Sequence, residues 1–201
     1  MLNFPSLNDS HDLHKPGTKP ELREHIKEYL DEGELEYKDL VDFLDTVVPW
    51  GKQHVFLYNG SGKLIEKWRS DKYVNKLVED NNLSDYLNAR LPLILPEKLT
   101  LSSVQYTRGQ ELLIYTVERR EHWQRSQDYD ESRKQEDLEI EMRAYIHQVI
   151  RGIVIFRWNL VSNYATLQIS QLPSDSQYEE VEERFANLIH KWLDLNQFQK
   201  Q

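Results

Sequence analysis

The chain has 201 residues, 39% of them apolar and 29% charged, with a net charge of −9 and no cysteine. That is enough for one good hydrophobic core, or two small ones sharing an interface, under a large polar surface. The missing cysteines exclude disulfides, thiolate metal sites and a cysteine nucleophile, and fit a reducing compartment. The acidic balance argues against general nucleic-acid binding, which draws its affinity from phosphate neutralisation. No segment approaches the roughly 20 apolar residues that span a bilayer. Met1-Leu2-Asn3-Phe4-Pro5 lacks the basic and apolar regions of a secretory signal. The expected location is the cytoplasm, with no membrane partner.

Residues 1–17 are polar and aperiodic and read as a flexible tail. His11 and His14 alone are a weak metal signal, and neither a metal nor a cofactor is expected. Thr18-Lys19-Pro20-Glu21 has the pattern of a helical capping box, followed by Leu22, Ile26 and Leu30 on one face and Gly33 as a stop. Tyr37, Leu40, Val41, Leu44 and Val48 recur at helical spacing and predict a second helix, ended by Pro49-Trp50-Gly51. Gln53–Tyr58 is β-rich. Asn59-Gly60-Ser61-Gly62 reads as a turn, with Lys63–Trp68 as a return strand, so a small hairpin is expected. Short helices are expected at 71–80 and near 84–90. Leu91-Pro92-Leu93-Ile94-Leu95-Pro96 reads as an extended connector. The expected organisation is therefore a tail at 1–17, a helical subdomain with a hairpin at 18–91, a buried connector at 92–97, and an antiparallel sheet with a C-terminal helix at 98–201.

Beyond the connector the apolar period becomes two. Leu99–Thr107 and Gln110–Glu121 read as a hairpin around Arg108-Gly109, and 126–137 as a mobile polar loop. The segment 138–158 then keeps apolar residues at almost every even position, broken by Gln148 and Gly152. A straight strand of that length would run roughly 70 Å, so a bend or bulge is required, expected at Gln148–Gly152. The even face should be buried. The odd face carries Arg143, His147, Arg151 and Arg157 and turns apolar at Val149, Ile153 and Ile155, so its second half should be covered as well. Asn159–Asn163 reads as a turn, and Tyr164–Gln171 as a strand with Ala165, Leu167 and Ile169 inward. Ser176-Gln177-Tyr178-Glu179 resembles a capping box. Val181, Phe185, Leu188, Trp192 and Leu195 form the stripe of an amphipathic C-terminal helix that covers the sheet. Trp50, Trp68, Trp158 and Trp192 are read as core or interface residues. The class is α+β.

No local motif of catalysis is present: no HExxH, no GxSxG, no dinucleotide or phosphate loop. Eight of the twelve arginines fall within 98–170 beside only two lysines. That bias suits planar carboxylate or phosphate recognition. Arg143, His147, Arg151 and Arg157, with Arg119, Arg125 and Trp123 on the preceding hairpin, are the candidate binding residues. The first function they suggest is a non-enzymatic module recognising a protein partner or fusion domain, with self-association through the sheet as an option. The second is single-stranded nucleic acid gripped by the same arginines and aromatics. The third is an enzyme assembled from distant residues such as Glu139, Glu141 and His147.

Overall fold

The computed structural model describes residues 19–40, 52–89, 91, 94–135, 138–172 and 176–201. The chain divides into two compact units, Met1–Gly51 and Lys52–Gln201. In the first, helix α1 (Lys19–Asp31) ends at Gly33, whose φ of +74° is the left-handed conformation a helix stop requires. Residues 37–40 begin a second helical turn. The tail, Thr18 of the first capping box, the rest of the second helix and Trp50 lie outside the described residues.

The second unit is α+β. Its strands β1 (Gln53–Gly60), β2 (Thr100–Thr107), β3 (Glu111–Arg125), β6 (Tyr145–Asn159), β7 (Tyr164–Ser170) and β8 (Phe198–Lys200) form one antiparallel sheet in the order β2-β3-β6-β7-β1-β8. Strands β4 (Glu131–Gln135) and β5 (Leu138–Met142) form a separate hairpin. Helices α2 (Gly62–Trp68), α3 (Asp71–Asp80) and α4 (Tyr178–Ile189) contribute to the core that covers one face of the sheet. That core joins Leu64, Trp68, Val74 and Leu77 of α2 and α3 to Val154, Phe156 and Trp158 of β6 and to Phe185 and Ile189 of α4. At its edge, burial and the Glu182 carboxylate that accepts its hydrogen bond at 2.5 Å push the Tyr58 phenol far above its ordinary range.

Three local expectations are corrected. Lys63–Trp68 is a helix, not a return strand. Ser61 caps it, its Oγ accepting from Leu64 N at 3.3 Å, and Leu64, Ile65 and Trp68 share the buried side at helical spacing. With no local partner, β1 pairs instead with β7 and β8. Residues 84–89 hold only a turn, and Leu87 bridges Val104. The C-terminal helix starts at Tyr178 behind Gln177, with no side-chain cap. It ends at Ile189, with Val181, Phe185 and Ile189 buried and Leu188 partly buried, so Trp192 and Leu195 of the expected stripe lie beyond it, partly buried, beside the buried Leu193.

The division expected between residue 91 and residue 98 falls instead at Gly51/Lys52. Residues 53–83 share the core of the sheet, so no compact-unit boundary lies at the two prolines. Of the supposedly buried connector, Ile94 and Leu95 are exposed. Pro96 O accepts from Arg119 N at 2.6 Å, on the outer edge of β3 past the end of β2, and neither Ile94 nor Leu95 joins the core.

Candidate functional site

β3 and β6 pair without interruption from Glu111/Asn159 to Arg125/Tyr145. Their neighbours do not go as far. β2 last pairs with β3 at Val117, and β7 last pairs with β6 at Val154. Beyond those points β3 and β6 continue as a two-stranded ribbon, Glu118–Arg125 against Tyr145–Gly152, roughly 25 Å long at the usual rise per residue. The expected break at Gln148–Gly152 is therefore absent. It lies at Arg143–Ala144, where the chain turns into the β4–β5 hairpin. Arg125 and Asp130 form an ion pair that fixes this corner. Arg125 Nη1 also donates to Ala144 O at 3.2 Å, Ser126 N donates to Ala144 O at 3.0 Å, and Ala144 N donates to Asp130 Oδ1 at 2.9 Å. The Arg125 hydrogen bond, with that of the Ala144 amide, holds the Asp130 carboxyl below its ordinary range, and Asp130 raises Arg125 in return. Residues 126–137, expected as a mobile loop, hold a short 3-10 turn (Gln127–Tyr129) and β4.

Gly152 is not a bulge. A Cβ built there would lie 2.2 Å from Arg120 Nε. The glycine clears space for a buried ionic anchor at the root of the ribbon. Glu118 accepts from Arg120 Nε at 2.8 Å and from Arg184 Nη1 at 2.5 Å. Arg120 Nη1 also donates to the Ser170 carbonyl and hydroxyl, each at 2.9 Å. Ser170 Oγ in turn accepts from Ile153 N at 2.9 Å. One network thus joins β3, β6, β7 and α4 at the place where the sheet narrows to two strands. A polar cavity of about 270 Å³, lined among others by Glu97, Glu118, Arg120, Glu180 and Arg184, opens beside it.

Cross-strand neighbours share a face. The register therefore places Arg119, Glu121, Trp123 and Arg125 of β3 with Arg151, Val149, His147 and Tyr145 of β6 on one side. The Trp123 and His147 rings stack at 4.5 Å, His147 Nε2 lies 3.1 Å from Glu121, and Arg125 sits over the Tyr145 ring. The ribbon thus brings together five of the seven candidate residues: Arg119, Trp123, Arg125, His147 and Arg151. Arg143 stands apart at the corner. Arg157 lies in the body of the sheet, opposite Leu113 and 3.7 Å from Glu111, about 20 Å along the strand from Arg151.

The arginines do not form a field of open charge. Arg119 meets Glu121 at 2.6 Å, Arg133 meets Glu131 at 2.8 Å, Arg143 meets Glu141 at 3.8 Å, and Arg125 is taken by Asp130. Beside these paired charges lies a large share of the exposed apolar surface. Of the fifteen large apolar side chains exposed among the described residues, eight belong to the ribbon and its tip: Trp123, Tyr129, Ile140, Met142, Tyr145, Ile146, Val149 and Ile150. Trp123 is 63% exposed and Tyr145 52%. The even face of 138–158, expected to be buried along its length, is buried from Gly152 onward, whereas Ile140, Met142, Ile146 and Ile150 are exposed, with no strand or core element over them among the described residues. The odd face is covered over Ile153 and Ile155, as its apolar turn implied. The one sequence signal for an open even face was polar residues at His122 and Gln148, which the register sets opposite each other.

Glu139 and Glu141 lie on β5, and no group of three His, Asp or Glu side chains suited to a metal occurs among the described residues. Neither the cavity at the root nor a second of about 250 Å³, lined by Lys52, Gln53, His54, Gln171 and Tyr178, includes Glu139, Glu141 or His147. Among the described residues no helix is long and apolar enough to cross a membrane. Comparison with known protein families, characterised proteins and solved structures finds no match for this chain.

Proposed function

We propose that this chain is a non-enzymatic recognition module that binds a protein partner through the β3–β6 ribbon. The observation that carries this reading is the concentration of exposed aromatic and aliphatic side chains on two strands that have outrun their neighbours. Contiguous exposed apolar surface rimmed by charge is the usual mark of a protein-binding site. An aromatic such as Trp123, in a rim of paired arginines and glutamates, is the kind of side chain that dominates binding energy. The cysteine-free composition fits action in the cytoplasm.

The test is affinity capture from cells with the full chain against its Trp123→Ser/Val149→Ser form, after circular dichroism confirms an unchanged fold. Loss of both anchors is expected to weaken retention of the partner by on the order of a hundredfold. Equal retention by both forms would remove the ribbon as the binding surface. The Trp123–His147 stack supports a second reading, single-stranded nucleic acid held by base stacking. The carboxylate partners of the arginines weigh against it. Its mark is an affinity that falls steeply with salt, and no binding of RNA or DNA at low salt ends it.

A further inference from the structure

We infer that the partner of this ribbon is a second copy of the chain, paired edge to edge along Tyr145–Ile150. The inference rests on the recognition reading above and names its partner. The two edges of the ribbon differ in what they present. On β3 the edge past β2 is partly occupied, Arg119 N donating to Pro96 O, and the stretch beyond it carries Glu121 and Arg125. Charge on a free edge opposes strand addition. On β6 the stretch that has lost β7 is Tyr145-Ile146-His147-Gln148-Val149-Ile150, six residues without a carboxylate, lysine, arginine, proline or glycine, all exposed. That composition favours pairing with another strand, and nothing in it blocks one.

The backbone is oriented to accept a partner. Ile153 N points towards β7, where it reaches Ser170 Oγ, and the register of β6 on β3 is unbroken back to Tyr145. By the alternation of an antiparallel ladder, the N–H and C=O groups of Tyr145, His147 and Val149 then face away from β3. A twofold axis makes identical strands antiparallel. An axis at Gln148 sets Ile146 against Ile150 of the partner subunit and His147 against Val149 of the partner subunit. Apolar meets apolar on the even face, and no like charges are opposed.

Sedimentation velocity of the full chain over a dilution series tests this. The expected result is a monomer–dimer equilibrium that Val149→Lys converts to monomer at every concentration, with thermal unfolding at high dilution unchanged. A lysine on the edge is what prevents such pairing. The absence of cysteine permits a second measurement. Residues opposite each other at the axis lie about 5 Å apart at Cα, within disulfide reach. Gln148→Cys should therefore form a linked dimer under mild oxidation, and Gln110→Cys, in the β2–β3 turn, should not. A wild-type chain that stays monomeric throughout, or Gln148→Cys that links no faster than Gln110→Cys, overturns self-pairing. In that event the capture experiment decides the broader reading separately. A foreign partner lost with Trp123 keeps recognition and rejects the second copy, and no such partner ends both.

Discussion

The same two strands, β3 and β6, pass through two environments in one molecule. Over Leu112–Val117 and Ile153–Phe156 they are flanked by β2 and β7, covered by the core, and buried on both faces. Over Glu121–Arg125 and Tyr145–Ile150 the pairing and the alternation continue, yet the side chains are largely open on both faces. The difference teaches that backbone pairing and burial are separate properties. An isolated pair of strands is marginal in water, so the ribbon depends on its root and its corner, while the body holds itself by packing.

The largest effect should come from the body. Phe156→Ala empties a site of 0% exposure and is expected to cost about 3–5 kcal/mol, whereas Ile146→Ala on the ribbon should cost under about 1 kcal/mol, by urea denaturation at high dilution. Equal costs would break the comparison, because they would mean that the ribbon is packed as tightly as the body. The root should come next. Gly152→Ala drives a methyl group into Arg120 and displaces it from Glu118, at an expected cost of about 3 kcal/mol. Adding Arg120→Ala should return about 1–2 kcal/mol of the combined loss, since the two changes act on one contact. Strict additivity would show that the close approach is not what requires glycine.

The smallest effect belongs to the corner. Because Arg125 holds the folded-state Asp130 carboxyl below its ordinary value, its contribution is present above the ordinary aspartate range and fades as the pH falls through and below it. Amide protection at Ala144, taken against the intrinsic exchange rate at each pH, should drop over that fall while that of Phe156 does not, and Asp130→Asn should remove the difference. Protection at Ala144 indifferent to pH would show that the Arg125–Asp130 pair does not hold the turn.

Much of the body was legible along the chain. The hairpin at Arg108-Gly109, the strand with Ala165, Leu167 and Ile169 inward, and the C-terminal amphipathic helix all follow from periodicities of two and 3.6 residues, which are local properties. Lys63–Trp68 was misread because the Gly60–Gly62 turn suggested a hairpin, although Ser61 and the spacing of Leu64 and Trp68 already encoded a capped helix. Candidate residues were placed on the correct shared face by parity, because a strand side chain alternates whatever lies above it. What those residues present was legible only in part: Arg119, Arg133 and Arg143 meet glutamates two residues away along the chain, as alternation allows, whereas Arg125 meets Asp130 across the corner, which no periodicity names.

By itself, then, the sequence determined that 138–158 is β and that its parity divides the side chains into two sets, with Arg143, His147, Arg151 and Arg157 in the odd set; the β3–β6 register added Arg119, Trp123 and Arg125 to the face of His147 and Arg151. Only the tertiary structure decided where that segment breaks, how far β2 and β7 accompany it, and that Gly152 makes room for Arg120 where no bulge exists. The physical reason is that alternation is written into one strand's own backbone, whereas burial depends on the length of the strands beside it. Ile146 and Phe156 carry the same sequence signal, and it is the end of β7 at Ser170 that leaves one in water and places the other in the core.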